Sequence, residues 1–222
     1  MTLSRRLAAE FAGTAFLLAA VVGSGIMAER LSGGNEGVAL LANAIATGGA
    51  LVALILTFGP ISGAQFNPMV TVALAAHRQF AWRDVPPYIG AQVAGAVAGV
   101  LAAHAMFSLP LVQASGKARA GWALMGSEFV ATLGLLAVVL IGVRRAPASV
   151  PVAVAGYIVA AYWFTASTSF ANPAVTLARS LTDTFAGIDA GHVPGFILAQ
   201  CAATLVGTLA FRWLLREDSV TP

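Results

Sequence analysis

Two Asn-Pro pairs, Asn67-Pro68 and Asn172-Pro173, carry the most distinctive chemistry of this chain. They open the segments Asn-Pro-Met-Val-Thr (67–71) and Asn-Pro-Ala-Val-Thr (172–176). An Asn side chain caps orphan helix amides, and Pro at the first helical position gives up an N–H that had no partner. Either pair alone marks an ordinary helix start. Together they would aim two helix N-termini, each carrying roughly half a positive charge, and two amide donors at one place. Such a place opposes cations and hydrogen-bonds the oxygen of a passing neutral solute.

Glu10 and Glu128, each followed by Phe, are the carboxylates that fall well inside apolar segments, and intramembrane acids are functional candidates by default. A proton relay needs no twin. Two equivalent loops each need a buried acceptor for backbone N–H groups, so the pairing favours a supporting role. Catalytic chemistry has no foothold, because nucleophile–base pairs, phosphate loops and metal-ligand spacings are all lacking. Cys201 is the single cysteine, and His77, His104 and His192 lack partners at ligand spacing and read as interfacial or packed residues. The chain is thus expected to be no enzyme and to hold neither cofactor nor metal.

The elements that must position these residues lie in a membrane. Of the 222 residues 59% are hydrophobic and 9% charged, too little charge to clothe a soluble globule. The 12 basic residues are scattered singly or in pairs between apolar segments, which excludes nucleic acid as a partner. A span needs roughly 20 apolar residues, and six stretches qualify: 7–27, 38–58, 87–107, 121–142, 151–167 and 194–214. The first follows Arg5 and Arg6 as a signal peptide would, but Glu10 inside it argues for a permanent helix. The stretches 67–76 and 172–181 are too short to span.

Six spans put both termini on one side. Arg5, Arg6, Arg78, Arg83, Arg144, Arg145, Arg212 and Arg216 fall there, against Arg30, Lys117, Arg119 and Arg179 opposite. The excess places both termini in the cytoplasm. Trp82, Trp122, Trp163 and Trp213 near span ends suit interfacial anchoring.

One domain, 1–222, is expected, made of two repeats at approximately 1–110 and 118–218. Glu10-Phe11 aligns with Glu128-Phe129, the first Asn-Pro segment with the second, and Gln92 with Gln200. Three spans per half is an odd number, so the second copy is inverted. Sites in such folds lie near the midplane, where broken helices aim their N-termini. Irregular backbone there must be buried by protein or reached by water, so 59–66 and 168–171 are expected to line an aqueous path. Gly95 and Gly99, matched by Ala203 and Gly207, are small residues spaced for close helix contact.

The segments Ile61 to Thr71 and Ser169 to Thr176 resemble the two signature loops of the aquaporin and glycerol-facilitator family, and the resemblance covers nearly the whole chain. It implies an aquaporin-like all-α membrane fold of six transmembrane helices and two re-entrant half-helices, assembled as a homotetramer. It also implies that Asn67, Pro68, Met69, Asn172, Pro173 and Ala174 form the pore motifs, with Glu10 and Glu128 supporting their loops. Met69 departs from the usual Ala and is expected to add apolar bulk near the midpoint.

In that family a constriction is contributed by positions 20 before the first motif Asn and 12 before, 3 before and 3 after the second. Here these are Thr47, Ala160, Ser169 and Val175. The last is usually Arg. Val there implies a wide, mildly polar ring, similar to that of aquaporins associated with bacterial arsenic resistance. Arg179, a turn further on, is expected to be interfacial. The resulting expectation is a passive aquaglyceroporin of the bacterial inner membrane, surrounded by lipid and conducting arsenous acid or glycerol as well as water. A water-selective aquaporin and a proton-coupled transporter using Glu10 or Glu128 are the alternatives.

Overall fold

A computed structural model describes residues 1–215, so Arg216 and the last residues of the second repeat lie outside the described residues. The described chain is helical, with six helices long and apolar enough to cross a membrane. In order they are α1 (Leu3–Leu31), α2 (Glu36–Ser62), the short α3 (Pro68–Ala76), α4 (Val85–Met106), α5 (Trp122–Arg145), α6 (Val150–Phe164), the short α7 (Pro173–Ala178) and α8 (Val193–Leu214). The second short helix ends three residues earlier than its apolar stretch, because Arg179–Leu181 tightens into a 3-10 turn.

Local sequence sets the breaks that matter. Asn35 caps α2 by accepting from the Val38 N–H, and Gly63, at φ +89°, ends it with a left-handed cap whose N–H reaches the Gly59 carbonyl. The chain then runs irregularly through Ala64 and Phe66, both left-handed, before Pro68 starts α3. The same turns precede α7 at Ser169 and Ala171. Left-handed backbone costs about 1–2 kcal/mol for each non-glycine residue, so both segments need outside support.

Close packing holds the long helices around these segments. Gly95 and Gly99 of α4 lie directly against the Phe11 and Ala15 carbonyls of α1, where any Cβ would collide. Gly207 of α8 fits against Leu133 and Leu136 of α5. Gly13 leaves room for the Phe66 ring. The outer faces carry exposed Phe16, Ile45, Leu56, Leu198, Leu205 and Leu209, apolar area that hydrocarbon covers at no cost. All four tryptophans are at least half exposed near span ends. His104 is fully buried, bonded to the Leu111 carbonyl and the Thr182 hydroxyl, and His77 is buried at the end of α3.

Candidate functional site

The two short helices meet N-terminus to N-terminus. Asn67 Oδ1 caps α3 by accepting from the Met69 N–H at 2.9 Å, and its Nδ2 donates across to the Ala171 carbonyl at 2.8 Å. Asn172 does the converse: Oδ1 accepts from the Ala174 and Val175 N–H groups, and Nδ2 donates to the Phe66 carbonyl at 2.8 Å. Each Nδ2 carries two hydrogens, so one remains for a solute. Both Asn residues line a cavity of about 120 Å³. Gly63 to Phe66 share its wall, and Leu17, Val21, Leu51 and Ile158 add apolar surface. Pro68, Met69, Pro173 and Ala174 are not part of that wall; the buried Met69 side chain lies off the path.

The left-handed turns hang on the buried carboxylates. Glu10 accepts from the Ser62 hydroxyl at 2.7 Å, the Gln65 N–H at 2.9 Å, the Phe66 N–H at 2.8 Å and Gln92 Nε2 at 2.9 Å. Glu128 accepts from the Phe170 and Ala171 N–H groups at 2.8 Å and from Gln200 Nε2 at 2.7 Å. Every partner is a donor, and charge-assisted bonds of this kind are about twice as strong as neutral ones. Neither carboxylate lines the cavity.

Each glutamine relays the support onward. Gln92 Nε2 also donates to Thr71 Oγ1, which donates to the Asn67 carbonyl; Gln200, Thr176 and Asn172 form the same chain. The matching of Gln92 with Gln200 was the sequence signal for this relay, but pairing alone carried no distance to the threonines.

The mouth opposite the chain termini differs from the expected ring. Thr47, Ser169 and Val175 line the cavity, and Ser169 Oγ has no bonding partner. Ala160 is exposed on the outer side of α6 and does not line this cavity. The inward face of α6 is Val154, Ile158 and Tyr162, spaced four apart, and Ala160 falls midway between the last two on the opposite side. Tyr162 therefore stands in the wall, its hydroxyl 3.3 Å from Thr47 Oγ1.

Arg179 is also not interfacial. It is 3% exposed and lines the cavity, with its guanidinium carbon 3.4 Å from the centre of the Phe170 ring and Nε donating to the Ala186 carbonyl. Residues four apart share a helix face, and long side chains lean toward the N-terminus. Arg179 thus reaches back over the turn that separates it from Val175.

The Major intrinsic protein family profile matches residues 1–150. The chain belongs to that family. It is 52% identical to "Aquaglyceroporin AqpS" of Rhizobium meliloti over 96% of this chain and 91% of that protein. Identity to "Aquaporin AqpM" of Methanothermobacter thermautotrophicus is 31%, over 98% of this chain and 100% of that one. Among solved structures, the aquaglyceroporin from Plasmodium falciparum superposes with a TM-score of 0.72, covering 95% of this chain and 96% of its own at 21% identity, which speaks for a shared fold.

As a major intrinsic protein the chain is an integral membrane protein and a passive solute channel, not an enzyme. One residue beside this mouth, outside the cavity wall, has no sequence signal beyond a charge count. Arg119, in the loop between α4 and α5, donates from Nε to the Gly187 carbonyl at 2.8 Å and from Nη1 to the Ser167 carbonyl at 3.3 Å, 5.1 Å from the Phe170 ring centre. Backbone bonds from Gln113 to Leu181 and Ser115 to Ser180 tie its loop to the segment after α7.

Proposed function

We propose that this channel is an aquaglyceroporin-type pore for small neutral polyhydroxylated solutes, glycerol and arsenous acid among them, with water. The observation that carries this reading is the pairing of Asn67 and Asn172 Nδ2 donors with an apolar wall in one narrow cavity. A solute with hydroxyls on one side and carbon, or a bare central atom, on the other matches such a lining, whereas an ion finds no replacement for its hydration shell.

The filter of this reading consists of Thr47, Tyr162, Ser169, Val175 and Arg179. It is more polar and more positive than a Thr-Ala-Ser-Val ring, and its guanidinium repels cations while donating to hydroxyls. Val175 leaves the volume that a second arginine would fill. The relative named an aquaglyceroporin, 52% identical, supports the solute class. The same reading takes the channel as a homotetramer of the bacterial plasma membrane, built as an inverted repeat with both termini cytoplasmic.

Proton-coupled transport is disfavoured because Glu10 and Glu128 lie off the cavity with donors on both oxygens. Stopped-flow measurement of water, glycerol and arsenite entering proteoliposomes tests the proposal. Glycerol and arsenite flux well above that of empty vesicles is expected. Water permeation alone would overturn it in favour of a water-selective pore.

A further inference from the structure

Arg119 and Arg179 bring two positive charges to one aromatic ring, Phe170. Among the described residues neither makes an ion pair: the salt bridges are Arg6–Asp84, Arg83–Asp84 and His192–Asp189. Their hydrogen bonds go to the Gly187, Ser167 and Ala186 carbonyls. Those three bonds use Nε of each residue and Nη1 of Arg119. Both Nη groups of Arg179 and Nη2 of Arg119 are left without a protein acceptor. Arg179 is buried against the cavity, so the cavity is where its free N–H groups find a partner.

Nearby carboxylates do not fill that need. Glu128 is committed to the Phe170 and Ala171 N–H groups and Gln200. Asp183 accepts from the Gly116 N–H and Asp189 from the Gly191 N–H. A third cation adds to the field: Lys117 lies 4.8 Å from the Phe185 ring centre and donates to the Phe185 carbonyl at 3.0 Å. Burial, and then the charge of Arg119, lower its pKa. Buried charges normally carry a counter-charge, and a guanidinium fork matches the oxygens of a carboxylate or oxyanion.

We propose that Arg119 and Arg179 form an anion site at this mouth, taking a small oxyanion or carboxylate whose occupancy closes the pore to neutral solutes. The inference rests on the channel reading above. A neutral polyol exchanges hydrogen bonds with Arg179 and moves on. An anion is held by two charges, and the apolar wall beneath offers nothing to replace its remaining hydration, so it blocks without crossing.

Sulfate is a suitable probe, present on both faces of proteoliposomes while glycerol flux is followed, with ionic strength held constant by the bulky HEPES anion. Sulfate should lower flux saturably, at least threefold at the plateau. Each variant is compared with its own flux without sulfate. Arg119→Lys should keep the block, and Arg119→Gln should raise the half-blocking concentration by about tenfold or more, as expected for a lost charge-assisted contact. Glycerol flux indifferent to sulfate would overturn the site and leave the channel reading standing, as would equal block in Arg119→Gln. Should glycerol not pass at all, the aquaglyceroporin reading falls instead. Calorimetric titration of sulfate into the detergent-solubilised protein then decides the site: saturable heat that weakens in Arg119→Gln supports it, and its absence overturns it.

Discussion

Asn67 Nδ2 donates to the Ala171 carbonyl at 2.8 Å, so the cap of one half-helix fastens the loop that leads into the other. The converse bond, Asn172 to Phe66, closes the pair. The two facing half-helices are therefore one bonded unit.

Replacing Asn67 with Asp tests that unit. A carboxylate cannot donate to Ala171 and places a negative charge where two helix N-termini converge. Glycerol flux should fall several-fold and cation leak should rise, read as bilayer conductance. Unchanged flux with no leak would contradict the assigned role of the amide.

Gln92→Leu removes the bridge between Glu10 and Thr71 and leaves Thr71 without a buried donor. A loss of about 1–3 kcal/mol is expected from a broken buried network, read as a lower melting temperature in detergent. Gln200→Leu should behave alike, because it holds the equivalent place between Glu128 and Thr176. A large effect at one site and none at the other would deny the equivalence.

Tyr162→Ala and Ala160→Leu separate the two registers of α6. Opening the wall at Tyr162 should speed solutes larger than glycerol, whereas bulk added at exposed Ala160 should leave the ratio of glycerol to water flux unchanged. The opposite pattern would return Ala160 to the ring.

Val175→Arg places a second guanidinium beside Arg179. Water should still pass while glycerol slows several-fold. Arg179→Leu should relax selectivity instead, admitting larger solutes and small cations. Unaltered glycerol flux in both variants would remove this mouth from the selectivity step.

The six spans, the short helices and the family were legible because hydropathy, helix caps and paired motifs are local signals. What escaped was set by side-chain reach and helix phase. Counting twelve residues back from Asn172 lands on Ala160, but the phase of α6 turns that residue outward and Tyr162 inward. Arg179 stands one helical turn beyond Val175 in sequence, yet a long side chain leaning backward spans that turn. Arg119 reaches the same ring from a loop whose path depends on backbone bonds to residues 180, 181 and 189, and no pattern in residues 107–121 announces that path.

Glycerol flux through proteoliposomes, measured against the size of an imposed gradient and with or without a pH difference, tests the central claim most directly. A passive pore predicts flux proportional to the gradient, unaffected by the pH difference and stopping at equal concentrations. Uphill accumulation driven by the pH difference and abolished by Glu10→Gln would contradict it.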